Sequence, residues 1–283
     1  LFTNREIAII FWLVVIIIYF IIDKSRRVSL IDVLKVLFSR IFIIIISSML
    51  IYISGILFVL YKIGFWETFL IKDTLVWIVM NAFTLMLNST DKALQEGFFK
   101  GKLLESIKII VLIQFIINTY TFNIILEIIL VFVLVFLGAL QAFASTEEKY
   151  KPVEKLTDGL ISFFGLMILS NAIYLAVKDL NSLGSSVTLK SFLLPIILTV
   201  LYLPYVYCLA LFSMYERIYG RLKMKSYIDK KLRSAIMRKL FLRFHFKLQL
   251  LRKFQTKNLI NLTYVKTKED VKRFFDNSSI LEG

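Results

Sequence analysis

One cysteine, one histidine and three prolines in 283 residues exclude several kinds of protein at once. The lone Cys208 cannot form an internal disulfide or a thiolate cluster around a metal. The lone His245 leaves no H-E-x-x-H zinc helix. No P-loop and no G-x-S-x-G nucleophile elbow occurs. Glycine is scarce as well, at ten residues. The internal repeats and paired, Gly/Pro-interrupted helices that mark many secondary transporters are not found. The deep apolar runs hold no aspartate pair able to share a proton. These absences predict a protein that is not an enzyme and that has no cofactor and no metal site. Glu147, Glu148, Glu154 and Asp158 are the remaining acids with a catalytic reading. Mixed with lysines in a short loop, they read as a solvated connector.

Charge is also scarce, at 19% of residues, while 58% are apolar and 15% aromatic. A soluble domain is roughly half apolar and about a quarter charged. A single core stops growing near this chain length, so the apolar surplus has to face lipid. The predicted fold class is all-α, a polytopic helical membrane bundle.

A helix of about 20 mainly apolar residues crosses the hydrocarbon. Five runs qualify directly: 7–22, 41–61, 124–144, 160–177 and 192–214. Two are weaker, because 69–88 carries Lys72 and Asp73 near its start and 104–120 carries Glu105 and Lys108. The first run is not a cleaved signal, since Lys24, Arg26 and Arg27 follow it instead of preceding it. Thr3 and Glu6 have capping-box spacing and place its helix start near residue 4.

Cytoplasmic segments retain the excess of Lys and Arg. With seven spans and the N-terminus outside, 30 of the 35 basic residues fall in inner segments and 5 in outer ones. Seven spans, N-out and C-in, in the cytoplasmic (inner) membrane, is the expectation; six spans is its competitor. Two inner segments, 29–40 and 90–108, have helical apolar spacing and read as connectors in the headgroup plane.

Polar residues inside the spans are few and therefore informative. Glu127 lies just inside the run 124–144 and reads as a snorkelling carboxylate or as a cation site at an outer vestibule. Asn81 and Gln114 fall near the middle of neighbouring runs, and a hydrogen bond between them would fix helix rotation. Asn171, with Ser170 and Tyr174, forms a similar stripe. These four, Asn81, Gln114, Glu127 and Asn171, are the candidate pore or helix-contact groups. Pro204, central in the last run, frees the carbonyl of Val200 and is the candidate hinge.

The net charge is +15, and nearly all of it is local. Residues 217–258 hold 14 basic residues and one acid, Asp229, whereas 1–216 is close to neutral. The division is therefore a membrane bundle over 1–215 and a basic tail over 216–283. Ile228, Leu232, Ile236, Leu240, Phe244, Leu248 and Leu251 form a helical stripe. It predicts one long helix from about 216 to 255, with Lys230, Lys231, Arg233, Arg238, Lys239, Arg243, Lys247, Arg252 and Lys253 on the basic face. Residues 259–265 are β-prone, and Thr267 heads a capping-box-like Thr-Lys-Glu-Asp. Three partners fit the tail, in this order. They are the anionic inner leaflet, a second copy or a cytoplasmic protein on the apolar stripe, and nucleic acid through basic and aromatic groups.

The functional expectation is a non-enzymatic membrane protein of the channel, pore or permeabilising class. It would be oligomeric and coupled to a cytoplasmic partner or signal through the tail, in the manner of a prokaryotic defence effector. The alternative is a transporter or exporter subunit with a docking tail. A surface-active lipid enzyme ranks last.

Overall fold

The computed structural model describes residues 2–22, 24–89, 97–106, 108–225, 228–257, 262, 265 and 267–276. Among the described residues all regular structure is helical. In chain order the helices are α1 (Asn4–Ile22), α2 (Lys24–Leu37), α3 (Arg40–Lys62), α4 (Ile71–Trp77), α5 (Phe83–Asn88), α6 (Phe98–Ser106), α7 (Ile109–Thr119), α8 (Ile124–Ala144), α9 (Lys151–Lys178), α10 (Leu180–Leu183), α11 (Ser186–Lys223), α12 (Lys230–Phe244), α13 (Leu248–Lys257) and α14 (Lys268–Asp276). A π turn, Ile78–Ala82, joins α4 to α5.

Six helical stretches are long and apolar enough to cross a membrane: Asn4–Ile22, Arg40–Lys62, Thr68–Asn88, Ile124–Ala144, Glu148–Lys178 and Ser186–Lys223. This is the make-up of a multi-pass membrane protein. The surface agrees with it: on α1 only Ala8 is buried, and Phe11, Leu13, Val14 and Ile17 all lie open.

The seventh expected segment, 104–120, forms a shorter element. Extended backbone at Lys108 (φ −72, ψ 150) and at Tyr120 (φ −102, ψ 97) bounds α7 to eleven residues. At 1.5 Å per residue α7 is about 16 Å long, roughly half of a ~30 Å hydrocarbon core. Of the two expected connectors, 29–40 overlaps α2 and 90–108 overlaps α6; residues 90–96 lie outside the described set.

By its contacts the chain divides into two units. The first holds 1–75 and 105–197. In it α1 packs on α8, α8 on α9, and α9 on α7. Trp12 fixes the first of these contacts: its Nε1 donates to the Ile128 carbonyl at 2.9 Å, and its ring stacks on Phe132.

The second unit holds 76–104 and 198–283. Its core runs down α11, where every fourth residue from Leu198 through Tyr202, Val206, Ala210, Met214 and Ile218 to Leu222 is buried. The expected boundary at 215/216 falls inside this helix.

The tail is not one long helix. α11 runs to Lys223, Asp229 caps α12 by accepting from Leu232 N at 2.6 Å, and α12 ends at Phe244. His245 then takes φ +45, the one non-glycine with positive φ among the described residues, and α13 starts at Leu248. The physical reason is the apolar stripe. A straight helix would leave its seven members uncovered, whereas in the folded tail all seven are buried. Phe254 meets Phe244 and Phe275, and α12 packs on α13 and α14. Thr267 and Asp270 form the reciprocal capping box that starts α14. The β-prone stretch 259–265 lies largely outside the described residues.

Candidate functional site

Two polar constellations stand out, one in each unit. In the first unit, helix ends and loops are clasped together. Arg5, in the first turn of α1, places Nε 3.1 Å and Nη2 3.0 Å from the two carboxylate oxygens of Glu127. Its Nη1 donates to the Ile117 carbonyl at 2.8 Å. Glu127 also accepts from Phe122 N at 3.0 Å, and Asn4 Nδ2 donates to the Phe122 carbonyl. Glu6 pairs with Lys72 at 3.4 Å while completing the Thr3 capping box. Lys190 pairs with Glu67, and the Tyr120 hydroxyl donates to the Asp179 carboxylate at 3.2 Å.

Glu127 is 1% exposed, so its carboxylate does not reach water; it is neutralised in place by Arg5. It sits at the N-terminus of α8, where Asn123 also caps the helix, and there a negative charge is favourable. Both oxygens are occupied, so a cation would have to displace Arg5. The sequence reasoning missed Arg5. The available signal was the pairing of the single basic residue of 1–6 with the single acid of run 124–144. Gln114, on α7, is exposed in this unit, and Asn171, on α9, is half-buried. Asn171 Nδ2 is buried without a hydrogen-bond partner among the described residues.

In the second unit, Trp77 is buried at the start of the π turn. Its Nε1 donates to Thr199 Oγ1 at 3.0 Å, and its ring meets Tyr202 edge-on. Tyr202 stacks on Tyr205. The π turn decides where Asn81 points. A regular helix continues a buried stripe three or four residues after Trp77, at 80 or 81. Here the stripe resumes at Ala82, then Leu85 and Met86, and Asn81 is exposed. Pro204 is exposed, and α11 continues through it as a single helix. Cys208 is exposed on the same helix.

Further along α11, two tyrosines hold the α12–α13 turn. The Tyr207 hydroxyl donates to the Phe246 carbonyl and accepts from Leu248 N at 3.3 Å, and Phe99 meets the Tyr207 ring edge-on. The Tyr215 hydroxyl donates to the His245 carbonyl at 3.0 Å. His245, inside the stretch expected to be one continuous helix, is the pivot of this turn.

The basic residues separate into two groups. Arg233 lies over the Tyr219 ring and donates to the Ile228 carbonyl, Arg243 donates to the Phe275 carbonyl, and Lys239 lies over the Phe275 ring. These three brace the tail. Lys230, Lys231, Arg238, Lys247 and Lys253 are exposed, and Arg252 is half-buried. Among the described residues no three His, Cys, Asp or Glu side chains come together in a metal-holding group.

No family model matches this chain, and no curated protein or solved structure matches it.

Proposed function

We propose that this chain is a non-enzymatic protein of the cytoplasmic membrane, N-terminus out and tail in, that changes membrane permeability when its basic tail engages an internal signal or partner. The carrying observation is the direct attachment of the tail turn to α11 through Tyr207 and Tyr215. Whatever displaces the tail pulls on a helix that is itself long and apolar enough to span. Oligomerisation belongs to the same reading. Asn81 and Gln114 are exposed in otherwise apolar segments, and a polar side chain facing hydrocarbon is costly. A second copy, or water in a shared pathway, relieves that cost.

Reconstitution into dye-loaded or ion-loaded vesicles tests the reading. The full chain should release ions, and Tyr207→Phe combined with Tyr215→Phe should alter the response while leaving the bundle folded. No flux under any trigger or partner overturns the permeability assignment.

A second reading, a transporter or exporter subunit with a docking tail, is favoured by the half-length α7, since transporters build sites from short and broken helices. Substrate-dependent counterflow without passive ion leak would select it.

A further inference from the structure

We propose that the α12–α13 turn is an interfacial anchor that inserts into an anionic leaflet beside the point where α11 leaves the membrane. The inference needs α11 to cross the bilayer and is independent of whether the bundle conducts.

The turn leaves an apolar patch uncovered. Phe241 is 47% exposed, Leu242 57%, Phe246 64% and Leu250 40%, although their neighbours Leu240, Phe244, Leu248 and Leu251 are buried. Phe246 packs edge-on against Phe241, so the patch is contiguous across the turn. Large apolar side chains grouped at a helix corner mark a contact surface. His245, at φ +45, maintains the corner.

The position of the patch identifies what it touches. α11 has 38 residues and is therefore about 57 Å long, against a hydrocarbon core of about 30 Å. The apolar run of α11 starts at Phe192, after Lys190, and about 20 residues from there cross the hydrocarbon and end near Phe212. The helix therefore emerges between Tyr207 and Tyr215, the two residues that hold the turn. Tyrosine favours that level, with its ring in the apolar layer and its hydroxyl toward polar groups. The Tyr207 hydroxyl is bonded to the turn itself, at the Phe246 carbonyl and Leu248 N. The patch is thus held at headgroup depth instead of projecting freely into water.

Charge selects the lipid. Arg238, one helical turn before Leu242, and Lys247, next to Phe246, are exposed, as is Lys253, three residues after Leu250. Apolar side chains flanked by Lys and Arg bind where acyl chains meet anionic headgroups. A soluble acidic protein would be drawn by the same charges, but it would not require the patch to sit beside the exit of a spanning helix.

The single cysteine provides the test. In full-length chain carrying Cys208→Ser, a nitroxide is placed by Phe246→Cys, by Leu242→Cys and, as control, by Glu269→Cys, which is exposed on α14. Oxygen and a water-soluble nickel chelate report immersion in phosphatidylcholine vesicles with and without 30% phosphatidylglycerol. The labels at 242 and 246 should be reached by oxygen and protected from nickel in the anionic vesicles, and the label at 269 should be open to nickel. Arg238→Gln with Lys247→Gln should lower the ratio of immersed to free turn about five-fold for each charge removed. Nickel access at both turn positions in the anionic vesicles overturns the proposal. So does shielding from both reagents, which means protein covers the patch. Equal immersion in the two vesicle types overturns the anionic assignment.

Discussion

Arg5 and Glu127, 122 positions apart, are joined by two charge-assisted hydrogen bonds, and the carboxylate they share is almost wholly buried. Removing one partner strands the other charge. Arg5→Ala should destabilise the bundle by about 3–5 kcal/mol, and Arg5→Met with Glu127→Gln should recover most of that loss. Unfolding midpoints in mild detergent measure both. An Arg5→Ala protein as stable as the parent would show that the pair holds nothing together.

His245 adopts φ +45 and ψ −118, a conformation that an L side chain resists and glycine accepts. His245→Gly should therefore raise the stability of the tail by about 1–2 kcal/mol. Hydrogen exchange over 240–250 reports it, and slower exchange is the expected sign.

Tyr207→Phe keeps the ring against Phe99 and removes the hydroxyl that serves both Phe246 and Leu248. A loss of about 1–2 kcal/mol is expected, from two bonds of ordinary net strength. It should appear as faster exchange and earlier proteolysis at 245–248, with the bundle helices unchanged. Unaltered protection of the turn would show that apolar packing alone holds it.

The Tyr120 phenol is pushed above its ordinary value of 10.0, first by burial and then by its bond to Asp179 and that group's charge. A folded value raised above the unfolded one contributes stability that is complete below about pH 10 and is lost as the pH rises through the folded value. With tyrosine ring-carbon labels, a resonance that titrates above the ordinary value should be absent in Tyr120→Phe. Asp179→Asn should bring it back toward that value.

Trp77→Phe removes the donor to Thr199 and a ring that fills the start of the π turn. The loss should be about 1–3 kcal/mol, because Thr199 forfeits a partner and a cavity replaces part of the indole. The Thr199→Val protein separates the two terms, since it keeps the volume and deletes the bond.

Local chemistry was readable in the sequence. The capping spacing at Thr3–Glu6 and at Thr267–Asp270 names the two reciprocal caps, and the stripe from Ile228 to Leu251 names the residues that are buried in the tail. The partners of those features were not readable. The stripe has helical spacing whether it meets another chain or its own segment folded back, and only the turn at His245 decides between them. The Arg5–Glu127 pair spans two runs that each look complete alone. The shortness of α7 depends on extended backbone at Lys108 and Tyr120, two residues whose side chains do not dictate that conformation.

The π turn Ile78–Ala82 amounts to one extra residue inserted into a helix. Each residue of an α-helix advances the face by about 100°, so Trp77 and Leu85 belong to stripes that are out of phase in the linear sequence yet aligned in space. A single-residue deletion should therefore be better tolerated within the π turn than within the regular helix that follows it. Deleting one residue between 78 and 82 would restore an ordinary helix with Trp77, Leu85 and Met86 still on one side. The same deletion early in α5 would instead turn the rest of that helix by about 100°, with no extra residue to absorb the change.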